Sequence, residues 1–417
     1  MININYLYKN PKLKASKLWR RKYFLDIVNL IFINNIRKLL QIKTEKLQYK
    51  KKKISIKKIN KNIFLNNYIK KINKNLKKIK KKIKKFQLNI PNIPYKNIPY
   101  GIKYKNNKEI VKWGVIKKKI FKVKNHIELG KKNNNLNWKL SSEISGSNFI
   151  FMKGNIALLH RALSQFMLDL HTKKHGYIET YVPYLVNKKS LYDTGQLPKF
   201  SNNLFYVSSL QNKKKNYVLI PTGEIPLTNF IRNQSFLKKK LPIMLTAHTP
   251  CFRAESNSYG KNSNGLIRMY QFDKVEIVQI VSKKKSYKVL EVLTSHAEEV
   301  LKLLKLPYRK ILLCAGELSF TSAKTYDLEV WFPSLNIYKE VSSCSNIIDF
   351  QSRRMNSSYY YYYKNKKKKY FLHTLNGSGL AIGRVLAAIL ENYQDINGNI
   401  KIPNILRNKY MNGIKFI

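Results

Sequence analysis

Apolar residues recur three and four apart through Ile69, Ile72, Leu76, Ile79, Ile83 and Phe86, the spacing that keeps one face of a helix against a partner. A weaker stripe runs through Ile33, Ile36, Leu40 and Leu47, and the lysine-rich stretch Lys50 to Lys53 separates the two. Together they predict two long helices between about Lys17 and Phe86, well beyond the ~8–20 residues of an ordinary globular helix, folded back as an antiparallel helical hairpin. Two X-Pro steps in Asn89-Ile90-Pro91-Asn92-Ile93-Pro94, followed by Pro99-Tyr100-Gly101, end it, because the residue before proline is driven into extended conformation. The expected organisation is a helical arm over residues 1–100 and a second domain over 101–417.

Beyond that boundary short β-like runs alternate with helices, the pattern of an α+β domain on a largely antiparallel sheet. Ile156 to His171 reads as a helix burying Leu159, Leu163, Phe166 and Leu170. A turn at His175-Gly176 leads into a strand from Tyr177 to Val182, ended by Pro183. Tyr359 to Tyr363 and Lys366 to Lys369 form a low-complexity stretch read as a hairpin or strand. No internal repeat is evident.

Composition changes this picture in three ways. Of 417 residues 44% are hydrophobic, enough for a substantial core, and the net charge is +59. Such a charge fits a polyanionic partner such as RNA or DNA, but Lys, Asn, Ile and Tyr are also the residues of A/T-rich codons. Lysines flood the whole chain, so charge alone locates no binding face. On the arm, where Asp26 and Glu45 are the only acids of the first hundred residues, a solvated lysine face and a basic grip on phosphates are equally compatible with the sequence. Cys251, Cys314 and Cys344 are odd in number and far apart, which speaks against a disulfide framework or a zinc site and fits a reducing compartment. The apolar run Phe24 to Ile33 is too short to span a bilayer and is interrupted by Asp26 and Asn29. No signal layout opens the chain, so a cytoplasmic, membrane-free protein is expected.

Four segments carry candidate chemistry. In Thr222-Gly223-Glu224, after the apolar run Tyr217 to Ile220, Glu224 is an acid at an expected strand end, able to hold an ammonium group or simply to meet solvent. Cys251-Phe252-Arg253-Ala254-Glu255 and Gly265 to Val278 read as two alternating strands joined by a long polar loop. Alternation puts Phe272, Lys274 and Glu276 on one face and Arg253 with Glu255 on one face. A guanidinium for phosphate and a ring for a base suit a nucleotide, whereas cross-strand salt bridges are the plainer alternative. In the third segment Asp327 and Glu329 share a face, and Glu340 and Ser343, flanking Val341 and Ser342, are hard oxygen donors suited to Mg²⁺ beside phosphate oxygens. Near the C-terminus, Thr374 to Arg384 reads as a strand, a small-residue turn through Gly377-Ser378-Gly379, and a helix presenting Arg384 to a phosphate. Neither phosphate-loop nor dinucleotide-type glycine motifs occur. His171 and His175 have the i, i+4 spacing of a zinc helix but lack its adjacent glutamate.

Arg-x-Glu on a hairpin, Glu-x-Ser-Ser on a strand and Gly-x-Gly-Arg entering a helix together resemble a class II aminoacyl-tRNA synthetase. The strings Thr194 to Phe200, Gly265 to Glu276, Glu340 to Asn346 and Leu375 to Arg384 are similar to seryl-tRNA synthetases of the bacterial type, over nearly the whole chain. The resemblance implies an antiparallel sheet flanked by helices, dimeric through the helix before His175 and the strand to Pro183. It implies a serine–tRNA ligase that forms seryl-adenylate from L-serine and ATP and passes the seryl group to tRNA(Ser), with tRNA(Sec) a further candidate. Thr222, Gly223 and Glu224 would bind serine, with Glu276 and Ser378 near its hydroxyl. Arg253 and Arg384 would bracket the ATP phosphates as the catalytic pair, and Ala254, Glu255, Phe272, Val341 and Ser342 would complete the ATP site. Glu340 and Ser343 would hold Mg²⁺, no zinc would be needed, and the arm would grip the tRNA. Gly223 and Ala254 stand where the family often carries larger or polar residues, and the arm is shorter and far less acidic than usual. A non-catalytic RNA-binding relative and a synthetase for threonine or proline are the competing readings.

Overall fold

The computed structural model describes residues 1–53, 59–132, 134–208, 216–254 and 265–417. They group into two compact units, Met1–Ile93 and Pro94–Ile417.

The first unit is all helical: Ile4–Tyr8, Pro11–Trp19, Ile27–Lys53 and Ile59–Leu88. Asp26 starts the third helix, its Oδ1 accepting from the Asn29 backbone N–H at 2.9 Å, which satisfies a donor the helix itself leaves open. The two long helices pack on each other in opposed directions, and Lys43 lies 5.3 Å from the Tyr68 ring. The predicted stripe supplies the seam, for Ile69, Ile72, Leu76 and Ile83 are buried. On the other helix Ile33, Ile36, Leu40 and Leu47 are only half-buried, while Asn34 and Thr44 are buried. Their polar groups are satisfied locally, Arg37 Nε donating to Asn34 Oδ1 at 2.9 Å and Thr44 Oγ1 to the Leu40 carbonyl at 2.8 Å. The weaker stripe is therefore weak because half of its seam is polar.

The second unit is built on an eight-stranded sheet. Its strands in spatial order are Lys108–Trp113, Tyr308–Leu312, Lys324–Phe332, Ile337–Ile348, His373–Ala381, Gln271–Val281, Ile243–Phe252 and Ile178–Glu179. Every neighbouring pair is antiparallel except the last, where Ile178–Glu179 runs parallel to Ile243–Phe252. Helices Gly154–Asp169, Ser286–Leu303 and Ile382–Asn392 cover it, burying Leu159, Leu163, Leu290, Leu293, Val385 and Leu386 in the main core. This is the expected α+β architecture.

Three local expectations need correction. The first helix of this core stops at Asp169 and widens into a π turn over Leu170–Lys174. There His171 sits between the Gly379 carbonyl (2.8 Å) and His175 (3.0 Å), and His175 reaches Glu299 at 2.8 Å. The paired histidines are thus engaged in interior hydrogen bonds. The strand expected over Tyr177 to Val182 shrinks to Ile178–Glu179, because Tyr177 turns inward to accept a 2.7 Å hydrogen bond from Gln279 Nε2. Finally, Gly377-Ser378-Gly379 is no turn. It lies inside the continuous strand His373–Ala381, and the helix starts at Ile382 without a loop. A Cβ on Gly377 would come within 2.7 Å of Leu293 Cδ2 and 2.8 Å of Cys344 Sγ, and one on Gly379 within 2.4 Å of His171 Nε2. These glycines admit the covering helices, not a ligand. The three cysteines are free and buried, and no helix among the described residues is long and apolar enough to cross a membrane.

Candidate active site

The central strands carry a pocket of about 310 Å³ on the face away from those glycines. On strand His373–Ala381 the alternation that sends Gly377 and Gly379 into the helices sends Asn376 and Ser378 to the pocket wall. The neighbouring strand Gln271–Val281 contributes Phe272 and Lys274, and strand Ile337–Ile348 contributes Glu340, Ser343 and Ser345. Thr222 and Glu224 line its inner end, and Arg253 and Arg384 its open end. Segments far apart in sequence meet here because the sheet order places the strands of residues 271–281 and 337–348 on either side of the one over 373–381.

At the closed end the polar groups form one network. Glu276, fully buried, is ion-paired with Lys274 and accepts from Thr222 Oγ1 at 3.1 Å and Asn376 Nδ2 at 3.2 Å. Lys274 Nζ also donates to Thr222 Oγ1 at 2.9 Å. Glu224 is not a strand-end residue but the first of the helix Glu224–Asn229, and it is buried. The Thr222 hydroxyl receives its backbone N–H at 3.2 Å, and its carboxyl accepts from Gln351 Nε2 at 2.6 Å. Burial, and then the charge of Glu276, push its pKa from 4.5 up to about 7, the expected response of an anion moved out of water. Gly223 holds this helix start against the sheet, since a Cβ there would stand 3.2 Å from Glu276 Cβ.

At the open end Arg253 donates from Nε to the Pro221 carbonyl at 3.2 Å and lies 5.1 Å from the Phe272 ring centre, a cation–π arrangement. Arg384 donates to the carbonyls of Ile267 (3.1 Å) and Glu340 (2.8 Å) and approaches Glu340 Oε1 at 3.7 Å. Beside it Ser343 hydrogen-bonds the Asp327 carboxyl, whose pKa stands well above the carboxylate range through burial and the nearby Glu340 charge. Oδ1 of Asp327 is buried without a hydrogen-bond partner. Two carboxylates and a hydroxyl converge there, one oxygen unsatisfied, a donor set that fits a hard divalent cation beside phosphate.

The predicted residues thus gather in one place, with four exceptions. Ala254 does not line the pocket, and its backbone N–H donates to the Asn203 carbonyl at 3.1 Å. Glu255 lies outside the described residues. Val341 packs into the main core and touches the pocket only as wall. Ser342 turns its hydroxyl to the Ser378 carbonyl at 2.6 Å. Three residues of the network had no role assigned from sequence. Lys274 carried a signal, its parity with Phe272 and Glu276. Asn376 stood in a recognised string without a function. Gln351 gave none, since it reaches Glu224 from a helix 127 residues away in the chain.

Comparison with known proteins gives this geometry its family. Residues 205–393 match the tRNA synthetase class II core domain (G, H, P, S and T). The whole chain is 53% identical, over the full length of both proteins, to the serine–tRNA ligase of Buchnera aphidicola subsp. Baizongia pistaciae. The chain belongs to the seryl-tRNA synthetases. Solved structures of this family superpose over all of it. The Pyrococcus horikoshii seryl-tRNA synthetase complexed with ATP has a TM-score of 0.92 at 27% identity, with 99% of that chain covered. The cytoplasmic serine–tRNA ligase of Naegleria fowleri in complex with AMP has a TM-score of 0.90 at 28% identity, with 98% covered. In this seryl-tRNA synthetase Arg253 and Arg384 stand at one pocket with the buried network around Glu224 and Lys274.

Proposed function

We propose that this chain is an ATP-dependent serine–tRNA ligase, a reading carried above all by the buried Thr222–Glu224–Lys274–Glu276 network at the end of the pocket. That end of the pocket brings the Glu224 and Glu276 carboxyls together with the Thr222 and Ser378 hydroxyls around Lys274, which suits an ammonium group and one hydroxyl. Glu224 binds the serine ammonium once ionised, and Glu276, fixed by Lys274 and Asn376, accepts from the serine hydroxyl, with Thr222 and Ser378 completing the wall. Asn376 Oδ1, buried without a partner, offers a further acceptor. Alanine leaves these groups unpaired, and that penalty is a strong basis for discrimination.

Arg253 and Arg384 bracket the triphosphate, and Phe272, stacked on Arg253, provides the platform for adenine. A serine carboxylate oxygen attacks the α-phosphorus in line, the bond to the bridging oxygen breaks, and pyrophosphate leaves with that electron pair. The arginines balance the charge that builds on the phosphoryl oxygens. Glu340 and Ser343, with Asp327 behind them, would hold Mg²⁺, which when bound supplies further compensation of phosphate charge. A ribose hydroxyl at the tRNA 3′ end then attacks the seryl carbonyl carbon, loses its proton, and AMP departs. The lysine-rich arm of residues 1–100 grips tRNA(Ser) phosphates, a catalytic domain over 101–417 performs the chemistry, and the enzyme works as a cytoplasmic homodimer. Exposed Ile178 and Tyr181 at the parallel edge of the sheet support such an apolar contact.

The test is ATP–pyrophosphate exchange with serine, threonine, alanine and cysteine in parallel. Exchange with serine alone, lost in Arg384→Ala at an unchanged melting temperature, is the expected result. No exchange with any of the four, from a folded protein that binds RNA, overturns the ligase reading in favour of a non-catalytic relative.

A further inference from the structure

The tyrosine–lysine stretch set aside as low-complexity forms a defined element. Ser358–Tyr363 and Lys366–Phe371 pair antiparallel in register from Ser358 opposite Phe371 to Tyr363 opposite Lys366. Lys364 and Asn365 close them with left-handed φ values of 47° and 55°, the geometry of a two-residue turn that matches strand twist. The strand Ser235–Leu237 runs parallel to the base of the hairpin, pairing only with Ser358 to Tyr360. From Tyr361 onward that edge is open, and the hairpin tip projects beyond its support.

Both faces of the tip carry the same chemistry. On one, Lys368 lies 4.5 Å from the Tyr363 ring centre and Tyr361 stacks on Tyr370 with planes 7° apart. On the other, Lys367 lies 4.1 Å from the Tyr360 ring, which meets Tyr362 edge-on. Tyr362 is 63% and Tyr363 53% exposed. Lys238, at the end of the supporting strand, adds a cation 4.8 Å from Tyr361. The chain has no acid between Asp349 and Glu391, nor between Glu224 and Glu255, so no carboxylate stands on any of the three strands to neutralise them. Codon bias accounts for the abundance of lysine and tyrosine but not for their arrangement, which the cross-strand register fixes as rings with cations beside them on both faces.

We propose that this hairpin tip is a binding surface for single-stranded RNA, separate from the helical arm. Exposed rings give bases a stacking platform without regard to sequence, and adjacent cations track the phosphates. A membrane surface meets a protrusion from one side only, whereas rings and lysines on both faces suit a flexible strand that wraps an edge. The proposal does not depend on the ligase reading, because it concerns no residue of the pocket.

The experiment uses the full chain and a fluorescein-labelled twelve-nucleotide oligouridine, with binding read by anisotropy at two salt concentrations. Tyr362→Ala/Tyr363→Ala is expected to weaken binding about tenfold or more while leaving the salt slope unchanged, since no charge is removed. Tyr362→Phe/Tyr363→Phe keeps the rings and restores affinity. Melting temperature and serine-dependent pyrophosphate exchange stay as in the wild type, which separates a lost surface from a lost fold. Photocrosslinking with 5-iodouridine RNA then reports the place, with adducts expected at Tyr362 and Tyr363. Unchanged affinity in the alanine pair, or adducts confined to residues 17–86, overturns the proposal. So does loss of binding to phosphatidylserine vesicles with RNA binding intact, which would make the tip a lipid contact.

Discussion

Glu224→Gln tests whether burial controls the closed end of the pocket. In the folded protein the Glu224 carboxyl titrates at about 7, against 4.5 when unperturbed. Between those pH values the native state holds a proton that the unfolded chain has released. The resulting stability is fully present below pH 4.5 and is lost as the pH rises through about 7. At 1.36 kcal/mol per pH unit the loss is roughly 3 kcal/mol. Glutamine stays neutral and keeps a carbonyl oxygen for Gln351 Nε2, so it escapes the loss and forgoes only charge assistance in that hydrogen bond, about 1 kcal/mol. The variant is therefore expected to exceed the wild type by about 2 kcal/mol at pH 8.5 and to show no such advantage at pH 5. Urea unfolding of both proteins at both pH values, at one protein concentration, measures this difference while other titrating groups cancel. In the same samples the serine KM in pyrophosphate exchange is expected to rise about a hundredfold or more at pH 8.5, because the buried ammonium loses its counter-charge. Wild-type serine affinity should tighten as the pH rises through about 7, the reverse of the stability trend. A stability difference that is the same at pH 5 and pH 8.5 would refute the reasoning, since the carboxyl would then ionise without cost.

Gly379→Ala places a methyl group 2.4 Å from the Nε2 of the buried His171 ring. It should lower stability by about 1–3 kcal/mol, read as a lower urea midpoint, although the residue points away from the pocket. Thr222→Val deprives Lys274 and Glu276 of a shared hydroxyl and should cost about 1–3 kcal/mol in serine binding, seen as a raised serine KM at nearly constant ATP KM. Asp327→Asn replaces the ionisable carboxyl beside Glu340 with a neutral amide that cannot become an anionic ligand, and should raise the Mg²⁺ concentration for half-maximal exchange about ten- to a hundredfold. Direct Mn²⁺ binding followed by electron paramagnetic resonance checks the same change without turnover.

The stripe from Ile69 to Phe86, the alternation of Phe272, Lys274 and Glu276, and the strings around Glu340 and Arg384 were legible because each is a local pattern. A helix or strand period decides which side chains share a face wherever the segment ends up. Local pattern also misled where packing decides the outcome. The Gly377–Gly379 run has the composition of a ligand-approach turn, yet its missing side chains make room for Leu293, Cys344 and His171 on the reverse of the sheet. Glu224 read as a strand-end acid, open to an ammonium group or to solvent, but a helix begins there and buries it.

By itself the sequence determined the helical arm, the α+β class and the residue types of the site, because these follow from periodicity and from strings long enough to be specific. Only the tertiary structure decided which groups act together. Sheet order brings strands from residues 271–281, 337–348 and 373–381 side by side. Burial, a property of the whole packed core, sets the charge state of Glu224 and joins it to Gln351 across 127 residues. Pairing register turns a biased run of tyrosines and lysines into an ordered surface. Such contacts depend on distances between segments, and no local period encodes those distances.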